Sequence, residues 1–197
     1  MDNHPLIPWH SMFMGVALLA AARSKDSRKR NGACIASADN KILGVGYNGL
    51  PRGCNDEDPA YWGDDDGDPL NSRHSYIVHA EVNAILNCVT LPLTHSTIYA
   101  TQYPCPRCAQ SIIQVGIRRV VYLEKKPHHS ATNAATAKML ADAKVELVAL
   151  GELEAPSGAW CEQLAGFIEA SAPVSGAAAG GATAQAQAEQ AGPEQQG

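Results

Sequence analysis

After an opening helical stretch the chain alternates: two short apolar runs around a turn, then helix, strand, helix, strand, helix, strand. Residues 9–23 set Trp9, Met12, Phe13, Val16, Ala17, Leu19 and Ala20 at helical spacing. Residues 33–36 and 41–47 read as strands of a hairpin closed by Ser37-Ala38-Asp39-Asn40, and Gly44, Gly46, Gly49, Pro51 and Gly53 mark a loop. A polar stretch rich in Asp, Pro and Gly, residues 54–75, reads as a long surface excursion. Helical spacing returns over 79–88 through Val82, Ile85 and Leu86, over 105–115 from a proline start to Gly116, and over 131–143. Strands are expected at 97–101, 119–123 and 145–150, and a last helix at 160–170 with Trp160, Leu164, Phe167 and Ile168 on one face. This order implies an α/β class chain, a three-layer α/β/α sandwich around a mixed five-stranded sheet. Its central crossovers should be right-handed. Nothing repeats at a fixed period.

The chain divides by composition. Residues 171–197 contain only Ser, Ala, Pro, Val, Gly, Thr, Gln and Glu, with Val174 the single branched aliphatic residue. Such a stretch buries too little apolar area to offset the entropy of ordering, so it reads as a disordered Ala/Gly/Gln-rich tail after one domain over 1–170. The net charge of −5 hides the same division: residues 1–144 hold fifteen basic and thirteen acidic residues, a net of +2, while 145–197 hold seven Glu and no base. A near-neutral core argues against a sequence-independent nucleic-acid binder, which needs a large basic excess. The longest apolar run, residues 12–22, is too short to cross a bilayer, and Met1-Asp2-Asn3-His4 lacks a basic leader region. The expected location is the cytoplasm, without a membrane partner.

Six cysteines in such a chain do not suggest a disulfide framework, which belongs to short secreted domains. Cys105 and Cys108, in Pro104-Cys105-Pro106-Arg107-Cys108, are spaced so that both sulfurs reach one ion from a single helical turn. Alone the pair is ambiguous between metal and redox chemistry. His79-Ala80-Glu81 supplies a second half at another helix start. One His and two Cys leave the fourth tetrahedral position of Zn²⁺ open, as a catalytic rather than a structural site requires. Glu81, two residues past the ligand, can carry protons without binding the metal. His-x-Glu followed by Pro-Cys-x-x-Cys is the pattern of zinc-dependent base deaminases, and on it the chain resembles them. Cys34 and Cys161 are expected to be buried small hydrophobes.

The resemblance narrows further. His79-Ala80-Glu81-Val82-Asn83-Ala84-Ile85-Leu86 and Pro104-Cys105-Pro106-Arg107-Cys108-Ala109 are similar to deoxycytidylate (dCMP) deaminases. So are Arg23-Ser24-Lys25-Asp26 before Gly32-Ala33-Cys34-Ile35, and Gly46-Tyr47-Asn48-Gly49-Leu50-Pro51-Arg52-Gly53-Cys54, the whole covering residues 9–148. The resemblance implies a cytidine-deaminase fold, one catalytic Zn²⁺ held by His79, Cys105 and Cys108, and Glu81 as proton carrier. It implies hydrolysis of dCMP to dUMP for thymidylate synthesis, in a homo-oligomer, usually a hexamer. It also implies activation by dCTP and inhibition by dTTP, with Mg²⁺ accompanying a triphosphate.

By the same likeness Asn48 contacts the sugar hydroxyl, although Asn there also suits a turn. Backbone N–H groups near Ala80 and Cys105 are expected to hold ring or tetrahedral oxygens. Arg23, Lys25, Asn48, Gly49 and Arg52 would form the effector site. Arg23, Lys25, Arg28, Lys29 and Arg30 read equally as a solvated basic helix end. Lys126-Pro127-His128-His129-Ser130 departs from the family, placing His128 where relatives carry a Tyr over the pyrimidine. Some phage relatives hold a second, structural zinc; Cys54, His74 and Cys88 lack a convincing fourth ligand for one. Other readings are a CMP or free cytidine or deoxycytidine deaminase, a tRNA or single-stranded nucleic-acid deaminase, and a zinc-stapled binding module. Asp64-Asp65-Asp66 and Asp68 disfavour the polymer reading, which needs a basic, aromatic-lined channel.

Overall fold

The computed structural model describes residues 7–125, 130–153 and 166. Its elements run α1 (Trp9–Ala21), β1 (Gly32–Ala36), β2 (Ile42–Tyr47), α2 (Ala80–Leu86), β3 (Thr97–Gln102), α3 (Pro106–Gln114), β4 (Arg119–Glu124), α4 (Ser130–Asp142), β5 (Glu146–Ala149) and α5 (Leu150–Leu153). The five strands form one mixed sheet in the order β2-β1-β3-β4-β5. β1 pairs antiparallel with β2 and β3, while β3, β4 and β5 run parallel.

Period-2 alternation divides each central strand between two cores. Ala33, Ile35, Ile98 and Val120 face Ala84 and Ile85 of α2, Ala109 and Ile112 of α3 and Leu140 of α4. Cys34, Ala36, Tyr99 and Val121 face Phe13, Met14, Ala17 and Leu18 of α1, with Leu150 of α5. This is the expected three-layer sandwich. All of β1 is buried, as befits a strand covered on both faces. Cys34 sits in that core as expected, and burial pushes its thiol up to about 12.

Gly44 and Gly46, which fall in the strand expected over 41–47 and also open its glycine-marked loop, lie inside β2. Gly44 and Gly46 point the same way along the strand, and a Cβ on either would overlap the backbone of α2, at Ala84 for Gly44 and at Ala80 and Ala84 for Gly46. Their bare Cα atoms let α2 lie directly on the sheet, which sets where the start of that helix stands. Gly46→Ala should therefore cost about 1–3 kcal/mol through overpacking and displace α2. Urea denaturation reads the cost, and unaltered stability would show that α2 has room the packing denies.

The excursion is not irregular throughout. It holds three short 3₁₀ turns, Pro59–Trp62, Pro69–Asn71 and Arg73–Ser75. Asp58 and Asp68 cap the first two by accepting from the Ala60 and Leu70 amides at 2.9 and 3.0 Å. Asp65 accepts from Gly67 N and Asp66 from Ser72 Oγ. The acidic run is thus largely turn chemistry. At the other end the chain passes straight from β5 into α5, so the strand expected to reach residue 150 stops at Ala149 and Leu150 packs in the core. The helix expected at 160–170, apart from residue 166, lies outside the described residues, as do Cys161, His128 and the tail over 171–197. Among the described residues no helix is long and apolar enough to cross a membrane.

Candidate active site

α2 and α3 start side by side. His79 and Cys105 are the residues immediately before them, both in extended backbone with ψ of 154° and 167°. Cys108 lies in the first turn of α3 and is fully buried. His79 Nδ1 stands 3.3 Å from Cys108 Sγ and 3.4 Å from Cys105 Sγ, and the two sulfurs are 3.6 Å apart. Tetrahedral zinc, with bonds of ~2.3 Å to sulfur and ~2.0–2.1 Å to nitrogen, needs S···S and N···S edges of about 3.5–3.8 Å. The three edges therefore outline one face of a zinc tetrahedron, and the donor set suits that ion. Among the described residues this is the one group of three or more His, Cys, Asp and Glu placed to hold a metal.

The protonation pattern agrees. The Cys105 thiol is drawn down to about 3 by its hydrogen bond with Cys108, with His79 assisting. Cys108 is pushed up by the same contact and by burial. The two shifts run in opposite directions because the sulfurs share one hydrogen bond.

Glu81 is 7% exposed and lies on the cavity wall beside this triangle. Burial raises its carboxyl above the usual range, against the pull of His79. A buried carboxyl beside the triangle is placed to take and return a proton. The cavity is about 300 Å³, and its wall includes His79, Ala80, Glu81, Cys105, Asn48 and Arg73. That is the low end of small-ligand sites.

The structure thus brings together His79, Ala80, Glu81, Cys105 and Cys108 with Asn48, all expected from the sequence. Asn48 is heavily committed: Nδ2 donates to Asp26 Oδ2 at 3.1 Å and to Lys29 O at 3.0 Å, while Oδ1 accepts from Asn31 N at 2.8 Å. Asn48 therefore organises the segment before β1 as well as lining the cavity, which a turn residue alone would not do. Arg23, Lys25, Gly49 and Arg52 are not among the lining residues. The first, second and last are exposed, with Lys25 paired to Asp56 at 2.8 Å, and Gly49 exchanges backbone hydrogen bonds with Val78. Sequence reasoning missed Asp26, Arg73 and Tyr103 on the cavity wall. Asp26 lay inside a motif shared with relatives, but nothing local tied its carboxylate to a site. Tyr103 is 8% exposed and packs edge-on against Tyr122, ring centroids 4.9 Å apart.

Known proteins agree with this geometry. A family model for the cytidine and deoxycytidylate deaminase zinc-binding region matches residues 7–124. The chain is 44% identical over 142 residues to a probable deoxycytidylate deaminase of Drosophila melanogaster, covering 70% of each. It is 40% identical over 134 residues to the deoxycytidylate deaminase of Homo sapiens, covering 68% of this chain and 74% of that one. In fold it resembles the dCMP deaminase of the cyanophage S-TIM5, solved in complex with dCMP and dUMP, at a TM-score of 0.55 and 23% identity over 75% of this chain and 100% of that one. On that family match and those identities, the chain belongs to the cytidine and deoxycytidylate deaminases.

Proposed function

We propose that the chain hydrolyses dCMP to dUMP and ammonia at this cavity, supplying dUMP for thymidylate synthesis. The observation that carries the reading is the meeting of the His79–Cys105–Cys108 triangle with buried Glu81 in one small cavity. Support for the substrate comes from the relatives' printed activity.

Bound Zn²⁺ supplies Lewis acidity, bringing the pKa of water down towards ~7. The protein's residues do the rest. Glu81 takes one proton from the attacking water and delivers it to N3 of the cytosine ring as the C4–O bond forms. It then takes the second proton from the new C4 hydroxyl and passes it to the amine as the C4–N bond breaks, so a single carboxylate serves in both directions. The Ala80 amide, at the first position of α2, is offered to developing negative charge on the ring. Asn48, held by Asp26 and Asn31, presents a fixed polar wall to the sugar. Tyr103 offers an aromatic wall near the ring, and His128 remains part of this reading as the base-covering residue.

The same reading includes regulation by dCTP and dTTP at Arg23, Lys25, Asn48, Gly49 and Arg52, with Mg²⁺ accompanying the triphosphate, and assembly into a homohexamer. It places the enzyme in the cytoplasm, where reducing conditions keep Cys105 and Cys108 available to a metal. Ammonia release from dCMP, CMP, deoxycytidine, dCTP and oligonucleotides tests the substrate. The expected result is the highest kcat/KM for dCMP; preference for CMP, for free deoxycytidine or for an oligonucleotide overturns the assignment. Addition of dCTP and dTTP to the same assay should raise and lower the rate, and an unresponsive, hyperbolic curve removes the effector site.

A further inference from the structure

Arg73 is the one Lys or Arg of the excursion over 54–75, six positions before His79. It leaves its own loop and reaches back across 47 positions, donating from NH1 to Asp26 Oδ2 at 3.0 Å. Its Nε donates to Asp64 Oδ1 at 2.9 Å, and Asp64 also pairs with Arg28. Arg73 is mostly buried, with 15% of its side chain exposed, and Asp26 is almost fully so at 2%.

Asp26 is the centre of a small polar hub. Its Oδ1 accepts from the Arg28 and Lys29 amides at 2.9 and 3.2 Å. Its Oδ2 receives both Arg73 NH1 and Asn48 Nδ2. Asn48 in turn fixes Lys29 O and Asn31 N, and its carbonyl accepts from Ser24 Oγ at 2.8 Å. Every acceptor oxygen of Asp26 is thus used, and Arg73 is the cation that compensates a carboxylate taken out of water. Asp26, Asn48 and Arg73 all line the cavity that ends on Glu81 and His79.

We propose that Arg73 is a positioning residue for substrate binding: by pairing with Asp26 it fixes the Asn48 amide and joins the excursion to the sugar side of the cavity. This rests on the proposed nucleotide reaction at the same site. A planar guanidinium serves two carboxylates at once in fixed geometry, so Lys can replace it only in part. Removal of Arg73 releases Asp26 and lets the Asn48 amide and the segment over 24–31 move. Glu81 and the metal ligands stand on other elements and keep their places. The consequence is a loss of binding rather than of chemistry.

Arg73→Gln and Arg73→Lys, both zinc-loaded, test this. With dCMP, Arg73→Gln should raise KM by about tenfold or more and lower kcat by less than about threefold, with Arg73→Lys in between. A loop that matters only for stability would lower the unfolding temperature and leave KM where it was. An independent readout needs no substrate: the Arg28, Lys29 and Asn31 amides should exchange with solvent deuterium at least about tenfold faster in Arg73→Gln. A KM within about twofold of wild type in the folded variants, a fall in kcat at constant KM, or unchanged exchange overturns the role. If Arg73→Gln does not fold, Arg73→Lys decides by the same criteria. Wild-type protein that fails to deaminate dCMP overturns the substrate instead, and the exchange rates then decide the role of Arg73 alone.

Discussion

Glu81→Gln should lower kcat for dCMP by about 10²–10⁴-fold, the span that a positioned general acid–base group contributes. Glutamine matches the shape of glutamate but takes no proton, so neither delivery to ring N3 nor protonation of the leaving amine can occur through it. The site should otherwise survive. Glu81 is buried and its charged form is penalised there, so a neutral amide of the same size removes a desolvation cost. Heat stability should be equal to or above that of wild type, and zinc should remain at one equivalent per chain. Steady-state kinetics beside metal analysis checks both halves. Turnover within about tenfold of wild type would remove Glu81 from the mechanism and favour a binding module held together by zinc.

Cys108→Ala should abolish both zinc retention and turnover. The thiol is fully buried against Cys105 and His79, so no water replaces it without opening the start of α3. Loss of even an indirect support of a metal ligand costs about 10–100-fold in affinity, and loss of the ligand itself should exceed that. Zinc in free excess of ~100 times its dissociation constant stabilises a folded chain by about 2.7 kcal/mol. In a chain of this length that corresponds to roughly 5–10 °C in Tm. A chelator should therefore lower the Tm of wild-type protein and leave Cys108→Ala unmoved. A variant that keeps a full equivalent of zinc through dialysis would refute the three-ligand site.

The legible parts of the molecule share a physical reason. His79, Glu81, Cys105 and Cys108 belong to two stretches of at most four residues, each at a helix start. Spacing within one turn already dictates what their side chains can hold together. The five strands were legible for a similar reason, since alternation and turn residues act over a few positions. The excursion was harder to interpret. Its aspartates read as a surface hostile to nucleic acid, whereas Asp58, Asp65 and Asp68 accept from backbone amides two positions on. Those are local bonds too, but composition does not distinguish a capping carboxylate from a solvated one.

Other features needed the folded chain. The need for glycine at positions 44 and 46 of β2 shows only once α2, distant in sequence, lies directly on them. Asp26 and Arg73 meet only because the excursion folds back over the segment before β1. α5 follows β5 without a break, since Leu150 finds a place beneath α1 that no periodicity announces.

The sequence by itself determined the donor set: one imidazole and two cysteine sulfurs of the kind that suits a divalent metal, with a carboxylate two residues from the imidazole. Those identities depend on local spacing and on the affinity of ligand types for zinc, both of which survive without knowledge of the fold. Only the tertiary structure decided the shape and the rigidity of the cavity around that chemistry. Its walls are joined by contacts such as Arg73 to Asp26, 47 positions apart, and Asn48 to Asn31, 17 apart. Long-range pairs of that kind are set by which strands become neighbours and how closely helices approach them, quantities that packing fixes collectively.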